Sequence, residues 1–208
     1  MRIIMKKMYL ILTNSETVFS KFLRLFTKNY YNHVAFTFDD DFNRMYTFAR
    51  WVTWLPLFSG FEIENINKGV LKKKPQTECR IHEIWISDEE YNAINIKMER
   101  FLASPKLMHW YNFAALPCIQ FNLPYRSQNS FVCSTFVAYI LSDILNFKKK
   151  YSYVTPNDYT DLRLPIKYEG VLAEYILERR CKAEARKALI AERKANQNIG
   201  HTNRRINI

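Results

Sequence analysis

Apolar positions fall in short blocks along this chain, and their spacing changes from block to block. Met8-Tyr9-Leu10-Ile11-Leu12 is continuously apolar and predicts a buried first strand. Thr13-Asn14-Ser15-Glu16 follows with the spacing of a capping box, in which the first and fourth side chains satisfy each other's open amides. Phe19, Phe22, Leu23 and Phe26 then recur at helical spacing. Residues 33–38 and 44–49 read as two strands around the turn Asp39-Asp40-Asp41, a hairpin with a loop longer than two residues. Residues 51–78 hold Trp51, Trp54, Pro56, Phe58 and Phe61 without a period, and are expected to form a long connection lining or covering a cleft.

Alternation returns over residues 79–86, and Ser87-Asp88-Glu89-Glu90 is a second capping box that opens a helix to about Ala103. Residues 106–119, with Trp110, Tyr111 and Phe113, predict a further short helix. After the stop signal Ser127-Gln128-Asn129-Ser130, residues 131–141 are strongly apolar and predict a buried helix with Cys133 in its first turn. Val154-Thr155-Pro156-Asn157-Asp158 marks another helix start. Residues 171–195 are rich in Ala, Glu, Arg and Lys and predict a long helix whose apolar face fades after Ile176.

The chain has 208 residues, one domain's worth plus an appendage, and 48% hydrophobic residues suffice for a core. Only 4 Gly and 7 Pro argue against long disordered linkers. No apolar run reaches the roughly 18 residues of a membrane span. The apolar block after the basic start is too short for a secretory signal, so the expectation is a cytoplasmic protein. Four cysteines without a Cys-x-x-Cys pair argue against a disulfide framework and a structural zinc site. The formal charge is +11, and residues 171–208 carry nine Lys or Arg against four Glu. A mixed-charge helix of this kind is usually a solvated face. The functional alternative is peripheral contact with an anionic membrane surface, although the Trp/Phe/Leu face of an interfacial helix is missing. No basic stripe interleaved with aromatics signals nucleic acid in the body of the chain.

Two positions carry candidate chemistry. A cysteine in the first turn of a buried helix faces the positive end of the macrodipole, which favours the nucleophilic thiolate, and its own amide can bind an oxyanion. Cys133 holds that position, although a free cysteine is most often a small buried hydrophobe. His33 opens a strand, where an imidazole can take the proton of a thiol presented by a neighbouring helix. His82 and His109 lie beside no turn or cap that would orient them, and His201 sits in the polar tail.

Asn32-His33-Val34-Ala35, and about a hundred residues later Phe131-Val132-Cys133-Ser134-Thr135-Phe136-Val137-Ala138, resemble the histidine strand and the cysteine helix of the circularly permuted NlpC-type branch of the papain-like superfamily. The order, histidine first, is that of the permuted members, and Val154-Thr155-Pro156-Asn157-Asp158 is similar to a helix start that follows the cysteine helix there. The resemblance covers about residues 8 to 165. It implies an α+β papain-like domain, an antiparallel sheet packed against helices, over residues 1–170. The basic helical tail, residues 171–208, follows it, with an end expected to be disordered.

It also implies a Cys133–His33 dyad whose imidazole is oriented by a third group from the next strand. Residues 44–49 offer only the hydroxyls of Thr47 and Tyr46 for that role. Permuted members often carry an acidic residue two places after the cysteine, where this chain has Thr135. Tyr125 and Ser134 are the candidates for oxyanion or substrate contacts. The implied activity is a thiol hydrolase or acyltransferase on an amide or ester, with a small-molecule, peptide or lipid-ester substrate and no metal or organic cofactor. The reading from another class is a catalytically inactive papain-like binding module. A thiol-directed probe separates the two. The sequence is silent on the oligomeric state.

Overall fold

The alternating apolar residues of Met5–Asn14 point to both faces of a sheet, and both faces are covered. The computed structural model describes residues 5–14, 30–50, 59–103 and 131–206. Met5–Asn14 is strand β1, followed by β2 (His33–Thr37), β3 (Met45–Arg50) and β4 (Ser59–Glu64). A short helix α1 (Gly69–Lys73) leads to β5 (Glu78–Ser87), then helices α2 (Asp88–Ala103) and α3 (Cys133–Ile140). Two 3-10 turns, Tyr151–Tyr153 and Pro156–Tyr159, precede β6 (Ile166–Val171) and the C-terminal helix α4 (Leu172–Ile206). The sheet runs β4-β3-β2-β1-β5-β6, and every pairing is antiparallel. The chain is therefore α+β, with a six-stranded antiparallel sheet packed against helices.

Met8, Leu10 and Leu12 of β1 join Val34, Phe36, Phe48, Ile84 and Ile86 in the larger core, under α2 and α3. Phe101 of α2 and Phe136 of α3 meet there with rings 5.0 Å apart. Each fully buried ring of this kind contributes about 1.5–3 kcal/mol from area alone. On the other face Tyr9, Ile11, Ala35, Met45, Cys79 and Ile81 pack against Leu172, Tyr175 and Ile176 of α4. The first two turns of α4 are thus part of a core. Arg179 then reaches back to Tyr9 (2.9 Å) and Asp40 (2.9 Å).

Several local signals appear as real bonds. The Ser87–Glu90 capping box forms reciprocally at 2.7 and 3.2 Å. Asp158 accepts from both the amide and the hydroxyl of Thr155, at 2.6 and 2.7 Å. In the hairpin loop Asp39 accepts the amides of Asp41 and Asn43, and Phe42 takes a positive φ of 56°.

Other expectations change. Thr13 and Asn14 belong to β1, because both pair with β5 and Thr13 also pairs with β2. Residues 51–78 contain β4 and α1 rather than a wholly irregular connection. The C-terminal helix continues to Ile206. The expected helices over residues 19–26 and 106–119 lie outside the described residues, as does Tyr125.

Candidate active site

His33 begins β2 at the sheet's end, paired with Thr13 of β1. Cys133 is the first helical residue of α3, which packs on β2 and β3. These placements bring the two side chains together, near enough that Cys133 helps to hold the His33 proton. Sequence spacing alone separates them by a hundred residues.

A carboxylate stands behind the ring. Glu64 Oε2 lies 3.1 Å from His33 Nε2, and each side chain is 19% exposed. Thr47 Oγ1 lies 3.4 Å from the same nitrogen and donates its own proton to the Val34 carbonyl at 2.8 Å. With its proton committed, the Thr47 oxygen can act towards the ring only as an acceptor. Glu64 is nearer and charged, so it is the main orienting group. Burial disfavours the charged imidazole, but the Glu64 charge and the bonds to Cys133 and Glu64 outweigh it. His33 is held well above its usual value of 6.5.

The third group therefore comes from β4 and not from β3. Antiparallel register explains the arrangement. Thr47 lies opposite Glu62, and Met45 opposite Glu64, so Thr47, Glu62 and Glu64 share one face of the sheet. Tyr46 points the other way. Its ring packs against Phe36 at 5.4 Å and Phe61 at 6.4 Å, within the larger core, and it does not orient the imidazole. The alternation Phe61-Glu62-Ile63-Glu64 was the available signal for this strand and its polar face.

The start of α3 is built to keep its amides open. The first intrahelical bond runs from the Phe136 amide to the Val132 carbonyl at 2.9 Å, so the amides of Cys133 and Ser134 have no helical acceptor. Thr135 closes the cap, accepting the Val132 amide at 3.0 Å, a task that an acidic residue could also perform at that position. The Ser134 side chain is not available to substrate. It is 1% exposed and donates to the Val154 carbonyl at 2.6 Å, while Tyr159 donates to the Ser134 carbonyl at 2.6 Å.

The other described cysteines and histidines differ. Cys79 is buried in the smaller core, and burial pushes its thiol up to about 12. Cys181 is exposed on α4. Among the described residues, no three His, Cys, Asp or Glu side chains gather as a metal-ligand set. No helix among them is long and apolar enough to cross a membrane. Comparison with protein-family models, with curated proteins and with solved structures finds no match to this chain.

Proposed function

We propose that this chain is a thiol hydrolase or acyltransferase of the circularly permuted NlpC-type papain-like class, acting on an amide or ester through Cys133, His33 and Glu64. The observation that carries the reading is the three-part contact: a thiol at a helix N-terminus, an imidazole against it, and a carboxylate 3.1 Å behind the imidazole. Glu64 occupies Nε2, so Nε2–H donates to the carboxylate and Nδ1 is the nitrogen left to take the thiol proton.

The sulfur then attacks the acyl carbon, and the carbonyl electron pair moves onto oxygen. The Cys133 amide is placed to bind that oxyanion. Collapse of the intermediate expels the amine or alcohol, which takes the proton from Nδ1 and leaves a thioester. Water or a second nucleophile, deprotonated by the same nitrogen, releases the acyl group. Glu64 stays ionised throughout and stabilises the imidazolium.

The test combines a chloroacetamide-type thiol probe, read by mass spectrometry at each cysteine, with a panel of peptide amides and acyl esters. Cys133 is expected to be labelled first although it is only 6% exposed, ahead of the exposed Cys181. Turnover of at least one substrate class should be lost in Cys133→Ala. Labelling of Cys133 no faster than Cys181, with no turnover above that of Cys133→Ala, would overturn the reading in favour of a binding module.

A further inference from the structure

The carboxylate beside the catalytic pair that the proposed mechanism does not use is Glu62. It lies on β4 opposite Thr47, on the face that carries Glu64, and within electrostatic reach of both Glu64 and His33. It is half-buried, and its surroundings give it no hydrogen bond and no cation of its own among the described residues. The other half-buried carboxylates near the sheet are matched. Glu64 holds His33, Asp158 holds Lys149 and Thr155, and Glu83 holds Lys167.

The charge balance matters here. His33 and Glu64 are paired with each other, whereas Glu62 adds a carboxylate that no cation is paired with among the described residues, and burial together with the Glu64 charge pushes its carboxyl up from its ordinary value. Burying a carboxylate without a partner is unfavourable. The burden falls beside the reactive pair, where an incoming cation would relieve it. We infer that Glu62 is a specificity-determining residue that receives a cationic group of the substrate, making the substrate class an amide or ester that carries an ammonium near the scissile bond. This inference rests on the thiol-hydrolase reading and deepens it.

Charged methanethiosulfonates test it without a known substrate. Each reagent forms a disulfide with Cys133 as the thiolate attacks the sulfenyl sulfur and methanesulfinate leaves. Rates at Cys133 would be compared for the trimethylammonium-ethyl, sulfonato-ethyl and neutral methyl reagents, in the full chain and in Glu62→Gln. The expected wild-type result is a cation-over-anion preference at Cys133, relative to Cys181. It should shrink about tenfold in Glu62→Gln, while the neutral reagent's rate is unchanged. It should also weaken as salt rises. Glu62→Asp, which keeps the charge, should retain most of the preference, and serves if the glutamine variant does not fold.

A preference equal in wild type and Glu62→Gln overturns the assignment. So does a matching fall in the neutral rate, because Glu62 would then act through His33. If the neutral reagent reacts with Cys133 no faster than with Cys181 in the wild type, it is the thiol-hydrolase reading that fails. The charge ratio reports on Glu62 separately.

Discussion

Two histidines of the sheet, His33 and His82, are pushed in opposite directions. Burial disfavours the charged ring in both. His33 meets Glu64 at 3.1 Å and is raised well above 6.5. His82, 1% exposed, gives Nδ1–H to the Pro165 carbonyl at 3.2 Å and has no partner at Nε2 among the described residues. Its nearest charges are Arg80, which opposes the proton, and Glu169, already held by Arg80 at 2.8 Å. His82 is lowered as a result. Burial alone does not set a histidine's charge state; what differs between the two rings is the carboxylate aimed at His33 Nε2 and the thiol close to its ring.

The largest effect that could break this contrast is on reactivity. His33→Ala should slow Cys133 alkylation near neutral pH by about a hundredfold, within the range of a general base. His82→Leu should leave that rate unchanged. Comparable losses in both variants, followed by stopped-flow with a neutral probe, would erase the distinction. Next in size, Glu64→Gln keeps an acceptor at Nε2 but removes the charge. It should lower Cys133 reactivity about tenfold and move the His33 titration down, as followed by NMR of its ring protons. An unmoved titration would make Thr47 the orienting group after all.

Stability against pH carries opposite signs at the two sites. The folded chain keeps the His33 proton that the unfolded chain sheds above 6.5. This contribution is complete below 6.5 and is lost as pH rises through the raised folded value. The unfolded chain binds a proton at His82 that the folded chain refuses. This contribution is complete above 6.5 and is lost as pH falls towards the lowered folded value. Denaturant melts of His33→Ala should therefore lose slope on the alkaline side, and those of His82→Leu on the acid side. The reverse assignment would contradict both environments. The smallest effect is expected from Thr47→Val, less than about threefold on the alkylation rate, because it removes a neutral 3.4 Å contact and leaves Glu64 in place.

What the sequence made legible follows from how local each signal is. Ser87 and Glu90 cap their helix with groups three residues apart, and the pattern of residues 131–141 predicts α3 because one face after another is apolar. Cys133 could be singled out for the same reason. Glu64 could not be found this way. Its meaning depends on β4 lying beside β3 in a register that brings it to His33, and the polar alternation of Phe61-Glu62-Ile63-Glu64 is too brief to stand out. β6 was missed because it is an edge strand with no fully buried residue, so burial left no period to read. Tyr46 and Thr47 looked equivalent as neighbouring hydroxyls. The pleat separates them, sending one into the aromatic core and the other to the imidazole.

The residue after Cys133 is anchored twice, through Ser134 Oγ to Val154 and through the Ser134 carbonyl to Tyr159. Both anchors run to a segment twenty or more residues downstream, itself stiffened by the Thr155–Asp158 cap. The thiol thus sits on an anvil rather than a spring. Under the proposed mechanism, these two anchors oppose tilting of the first turn of α3 to accommodate an acyl group on sulfur. Any yielding must come from the acyl chain or from the walls facing it. Adaptation to new acyl groups would then be sought in those walls, with the turn that bears the sulfur kept as it is.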